Sequence, residues 1–178
     1  MTEERTKYEE VTSMMRTPAM TLVVALAVLM LATTAGMASN QVNQTVTYEV
    51  SAINEISVSG NPAALTVNTA TAGSEPDADT DTTTTYSITT NGTGKKITGV
   101  LNTAMPSDVT LKVHLTAPTG GTSADDTTLT AVAADLVTGV TELAEAGIGI
   151  EYILSATVTA GVVASAQKTV TLTVADGS

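Results

Sequence analysis

The chain of 178 residues contains no cysteine, tryptophan or phenylalanine, and it has one histidine, His114. Without cysteine there are no disulfides, thiol nucleophiles or thiolate-bound metal centres. His114 lies on the polar face of a predicted strand, and a single imidazole is a poor start for a nucleophile-base dyad. Phosphate-binding and dinucleotide-binding glycine motifs are also missing from the sequence. We therefore predict a protein that is not an enzyme, with no catalytic residue, cofactor or metal.

Positive charge is scarce as well. Seven lysine and arginine residues stand against 18 acidic residues, which gives a formal net charge of -11. Three of the seven precede the first apolar run. A surface of this sign repels phosphate backbones, so the composition excludes nucleic acid as a partner.

An apolar run occupies residues 18–38, two residues after Arg16, and ends in small residues. This arrangement predicts a signal peptide over residues 1–38, with cleavage between Ala38 and Ser39. The run is also long enough to cross a bilayer, so an uncut anchor is the alternative. The protein is expected to be secreted and to touch a membrane only through this segment if it stays uncut.

Threonine alternates with valine, leucine and isoleucine through most of the chain after this segment, a pattern typical of half-buried strands. Turn-rich stretches separate the alternating segments, which favours an all-β sandwich over residues 53–178. The predicted strands are 45–58, 64–68, 83–89, 96–101, 109–117, 148–159 and 168–175.

Two segments depart from this alternation. Between residues 133 and 146 the apolar positions step by three and four, which predicts one short helix. Residues 74–85 are rich in aspartate and threonine, but Thr82 and Ile88 stand where an EF-hand needs glycine and glutamate, so we expect a mobile surface loop without metal. Its three regularly spaced aspartates are Asp77, Asp79 and Asp81. A looser ion site in this loop is the alternative.

The sandwich is preceded by an unusually long alternating stretch, in QVNQTVTYEVSAINEISVSG, residues 41–60. Typical strands have about 5 to 6 residues. The stretch is therefore one overlong strand, or two strands joined at Ile53, Asn54 and Glu55, the first of which need not pack on its own domain. Glycosylation acceptor triplets begin at Asn43 and Asn91 and would matter in a secreted protein.

The signal segment, the cysteine-free, threonine-rich strands and the stretch QTVTYEVSAINEISVSGNPAALTV together resemble the TasA and camelysin-like biofilm-fibre proteins, and most closely the archaeal bundling-pilus subunits. The resemblance implies a jelly-roll-like or immunoglobulin-like sandwich that is completed by the N-terminal strand of a neighbouring copy. Residues 39–52 would be that donor strand, and Ile53, Asn54 and Glu55 its hinge. The donor side chains on the buried parity would be Val46, Tyr48, Val50 and Ala52.

The expected function is then that of a structural subunit of an extracellular cell-surface filament, a homopolymer built by donor-strand complementation and used in cohesion or biofilm. Two alternatives remain: a monomeric secreted or membrane-anchored adhesion module, and a type IV pilin. A pilin leader is cut before the apolar run, whereas the small residues here come after it.

Overall fold

A computed structural model describes residues 40–177. The predicted signal peptide, its cleavage site at Ala38 and Ser39, and the alternative anchor lie outside these residues. The described residues fall into two units that divide after Tyr48, and each is considered by itself. Within 40–177, no helix has the length and apolar character needed to cross a bilayer, and the helical content is one 3-10 turn, Val158–Ala160.

The regular structure of residues 49–177 is β-structure with almost no helix, and the remaining residues form turns and irregular segments. Two antiparallel sheets are formed, with strand orders β1-β2-β8-β4-β6 and β5-β7-β3-β9. The strands are β1 Asn54–Val58, β2 Asp79–Thr90, β3 Lys95–Leu101, β4 Val109–Leu115, β5 Thr122–Ser123, β6 Thr127–Thr128, β7 Ala134–Val140, β8 Leu143–Ala156 and β9 Val170–Asp176.

The two sheets share one apolar core, as expected for a β-sandwich. Alternate residues of β4 and β8 are buried, because successive side chains on a strand point to opposite faces. Tyr86 is fully buried and its hydroxyl donates a hydrogen bond of 2.7 Å to the carbonyl oxygen of Thr116. Burial, together with the nearby Glu145 carboxylate, raises the pKa of Tyr86 above its ordinary value. The core consists of Tyr86, Ile88, Ile97, Leu101, Leu111, Val113, Leu115, Leu129, Leu136, Val137, Val140, Ile148, Ile150 and Tyr152.

The prediction of a helix within residues 133–146 is wrong, because this segment forms β7 and the start of β8. Its apolar spacing has another cause. Against β3, β7 carries extra residues at two points, so Leu136 and Val137 are both buried and Val140 follows three residues later. Gly139, with φ of 74°, lies within the second irregularity. Two bulges therefore produce a spacing of three and four in a strand.

The prediction of a loop over residues 74–85 is also wrong in its second half, because β2 begins at Asp79. Between Asp81 and Thr84, β2 holds one residue more than β8 does. This bulge leaves both side chains buried, and a strand that turns an aspartate inward does not show the usual polar and apolar alternation.

The first predicted strand is much shorter than expected. Of residues 45–58, only Asn54–Val58 form a strand, which pairs with β2. The predicted strand 64–68 is likewise absent, since residues 61–69 run without a turn or bend but outside any strand. The other five predicted strands correspond to β2, β3, β4, β8 and β9.

Candidate functional site

The N-terminal segment, residues 40–52, presents apolar side chains to solvent. Residues 41–53 run without a turn or bend and belong to no strand. Val46 is 77% exposed, Tyr48 is 89% exposed and Val50 is 79% exposed. All three lie on one parity of the alternating pattern, so a strand formed by this segment would have one apolar face. Ala52, the fourth predicted donor residue, is exposed as well.

The predicted hinge residues lie where the chain enters the sandwich. Ile53 immediately precedes β1, and Asn54 and Glu55 are the first two residues of that strand. Pairing with β2 begins at Asn54, which lies opposite Thr90. Asn54 and Glu55 are therefore paired with β2. That residues 53–55 act as a hinge stays a prediction.

Four sheet edges are open in residues 49–177, and they differ in how they discourage pairing with another chain. The edges β5 and β6 have two residues each, and β1 carries the charged Glu55. Short edges and charged edges oppose edge-to-edge association. By contrast, β9 has seven residues, VTLTVAD, and no charge before Asp176. This strand is the edge best suited to accept a further strand.

An open groove of about 740 Å³ has a lining that ends at Lys168, two residues before β9. One wall is the segment 64–70, which lines the groove from Leu65 onward and lies outside the sheets except for an isolated bridge at Ala70. Another wall, in residues 161–168, also belongs to no strand. Among the described residues, 162–167 make no main-chain hydrogen bonds. The groove thus offers unpaired peptide groups along its side.

The floor of the groove is apolar and only partly covered. Leu154 and Ala156 continue the parity of the buried residues Ile150 and Tyr152 on β8, yet both are only half-buried. Several apolar side chains that pack against the core are likewise only partly buried. These side chains are Ile56, Leu65, Met105, Leu143, Leu154, Val170, Leu172 and Val174.

Two aspartates attach the wall 64–70 and the residues before it to β2. Asp79 Oδ2 accepts a hydrogen bond of 2.6 Å from the amide of Thr66, and Asp81 Oδ2 accepts one of 3.2 Å from the amide of Ala63. Asp81 is only 5% exposed and also accepts bonds from the amide and hydroxyl of Thr83. The carboxylates predicted for a solvated loop thus stabilise one side of the groove.

Changing Asp81 to asparagine should lower the free energy of unfolding by about 1.5 to 3 kcal/mol, the usual worth of hydrogen bonds to a charged group. An asparagine keeps one acceptor oxygen and turns an NH2 group toward amide and hydroxyl donors. The exposed Asp77→Asn is the matched control and should change stability by less than about 0.5 kcal/mol. Urea denaturation measures both values, and equal stabilities would contradict the role of Asp81.

We expect a chelator to leave the melting temperature of the wild-type protein unchanged.

The remaining predicted residues lie apart from the groove lining. His114 is partly exposed on β4, with Nδ1 3.9 Å from a carboxylate oxygen of Asp126. Asn91, directly after β2, is exposed, and its side chain is hydrogen-bonded to residues near the hinge. Asn43 is exposed in the N-terminal segment. Within residues 40–177 no group of three or more histidine, cysteine or acidic side chains is arranged to hold a metal ion.

Sequence reasoning missed the groove and its walls. The sequence predicts a strand over residues 64–68 and no regular element over residues 161–167, and nothing in these segments shows that they border the same opening. One indication of an acceptor was available in the sequence. The segment that forms β9 has no charge before its last residue, and an edge strand without charge is expected to pair with another strand.

Comparison with known proteins adds no relative to this description. A scan of protein-family profiles, a search of curated proteins and a search of solved structures each produced no match for this chain.

Proposed function

We propose that the protein is a structural subunit of an extracellular filament, assembled by donor-strand complementation between identical copies. The N-terminal segment of one copy would lie along the groove and the open edge of β9 in the next copy. The observation that carries this proposal is the coexistence of an exposed, alternating apolar segment with an uncovered apolar groove in one chain.

The donor segment is long enough to cover the edge of β9. An extended chain rises about 3.3 Å per residue, so residues 42–52 would reach about 36 Å and β9 spans about 23 Å. The donor can therefore cover the edge of β9 and continue into the groove. Its main-chain groups would bond to peptide groups of the acceptor, which is how sheet edges capture peptides.

The two surfaces also match in chemistry. Val46, Tyr48 and Val50 would face the apolar floor of the groove, and the opposite parity is polar. The one charged residue within 42–52, Glu49, lies on that polar parity and would stay in water. Burying a side chain of valine or leucine size contributes about 1.5 to 3 kcal/mol. Part of this gain is offset by the cost of ordering a free segment.

The contact is directional, because the donor and the acceptor are different surfaces of the same chain. Each bound copy would still offer a free groove or a free segment, so assembly continues unless the copies close into a ring. This geometry favours a filament. We further propose that the sandwich has jelly-roll-like or immunoglobulin-like topology, that the filament acts in cohesion or biofilm outside the cell, and that the subunit catalyses no reaction.

The proposal is tested on protein expressed from the full sequence in a host that exports it. We expect filaments by electron microscopy and an N-terminus at Ser39 by peptide mass spectrometry. Export as a monomer that stays monomeric at high concentration would favour the adhesion-module alternative. A filament whose subunits retain residues 18–38 would favour a pilin.

A further inference from the structure

Asn91 makes three hydrogen bonds to the backbone of residues 51–53. Its main-chain amide donates to the carbonyl oxygen of Ile53 at 3.2 Å. Its side-chain Oδ1 accepts from the amide of Ile53 at 2.8 Å, and its Nδ2 donates to the carbonyl oxygen of Ser51 at 2.8 Å. One residue therefore binds the backbone that links the N-terminal segment to β1.

The side chain of Asn91 takes the place of a further strand residue. The β1-β2 ladder ends at the pair of Asn54 and Thr90, and the amide of Gly92 instead bonds to the hydroxyl of Thr90 at 3.0 Å. The backbone of β2 thus turns away from its partner strand. A carboxamide has the same donor and acceptor as a peptide group, so the side chain of Asn91 extends the pairing beyond the single main-chain hydrogen bond between Asn91 and Ile53.

From these contacts we propose that Asn91 is a positioning residue for assembly, resting on the function proposed above. By holding Ser51 and Ile53, it fixes the backbone at which the donor segment begins. A donor with a fixed starting point loses less conformational freedom when it enters the neighbouring groove, because its last residues are already ordered. The side chain of Asn91 therefore serves the hinge, although it also begins a glycosylation triplet.

The test compares two variants of the exported full-length chain, depolymerised in denaturant and returned to buffer. Asn91→Ala removes both side-chain hydrogen bonds. Thr93→Ala destroys the same acceptor triplet but keeps the Asn91 side chain, so it controls for loss of a glycan. Thr93 is exposed and its side chain makes no hydrogen bonds within the described residues. Light scattering follows filament growth, and amide hydrogen exchange follows the protection of Ile53.

We expect Asn91→Ala to slow elongation about tenfold, the factor that corresponds to about 1.4 kcal/mol for two net hydrogen bonds. Asn91→Asp keeps the acceptor for Ile53 and should restore part of the rate, while Thr93→Ala should match wild type. Capture of a synthetic peptide of residues 40–53 should be equal in all variants, because the groove is unchanged. Equal elongation rates for Asn91→Ala and wild type would overturn the proposal. If wild type forms no filaments, the proposed function fails, and loss of Ile53 protection in Asn91→Ala would still show that Asn91 holds the backbone.

Discussion

Deleting residues 39–52 is expected to give a folded, soluble monomer that no longer forms filaments. No residue of the deleted segment belongs to the buried apolar core, which begins in sequence at Tyr86. The subunit should therefore keep a cooperative thermal transition. Its groove would remain open while its donor is gone, so each copy can accept a neighbour but cannot bind to one. Size-exclusion chromatography and electron microscopy measure the outcome.

The truncated subunit also offers a test of the acceptor. A synthetic peptide of residues 40–53 should bind with one peptide per chain and raise the melting temperature, because ligands that bind only the folded state stabilise it. The same peptide with Val46 and Val50 changed to aspartate is the control and should bind far more weakly. Normal filaments from the truncated chain would rule out residues 39–52 as the donor, and equal binding of both peptides would rule out the apolar groove as their site.

The strands predicted well are those whose alternation is uninterrupted. In β4, Leu111, Val113 and Leu115 alternate with polar residues, and the structure buries all three. The same regularity located both ends of β3 and β9 within two residues, whereas β8 begins at Leu143, five residues before the predicted strand 148–159. Local side-chain patterning is sufficient there, because each strand has one face in the core and one in water.

The failures arise where the backbone departs from a regular strand. The bulges of β7 place Leu136 and Val137 on the same side, and the bulge of β2 buries Asp81. Both effects depend on the register with a partner strand that is distant in sequence. A single segment carries no record of that register, so helical spacing and a polar loop were the natural interpretations of these residues.

The candidate site also has one part that the sequence predicts and one part that it does not. The apolar parity of Val46, Tyr48 and Val50 is visible in the sequence, and the structure leaves these side chains exposed. The groove proposed as the acceptor is not visible there, because it combines residues 64–70, Leu154 and residues 161–168, which only the folded topology brings together. A donor can be predicted from one continuous segment, whereas an acceptor needs the tertiary structure.

The parity of the donor segment leads to the sharpest expected difference between two variants. Val46→Asp should abolish or strongly reduce filament formation, whereas Thr47→Asp should reduce it only mildly. Both residues are exposed in the subunit, so neither change should affect its folding. In the filament, Val46 would enter the apolar groove, and an ionised carboxylate buried there without a partner costs several kcal/mol. Thr47 would face water, where a carboxylate stays hydrated.

The two substitutions add the same charge at adjacent positions, so the general repulsion between acidic subunits is equal in both. Filament yield by sedimentation and electron microscopy, at matched protein concentration and ionic strength, therefore isolates the effect of side-chain direction. Thermal denaturation of the monomers checks that both variants remain folded. If Val46→Asp and Thr47→Asp assemble equally well, the N-terminal segment does not insert as a strand with one buried face. If Thr47→Asp is the more damaging change, the inserted face is the threonine parity, and the proposed contact with the apolar floor is wrong.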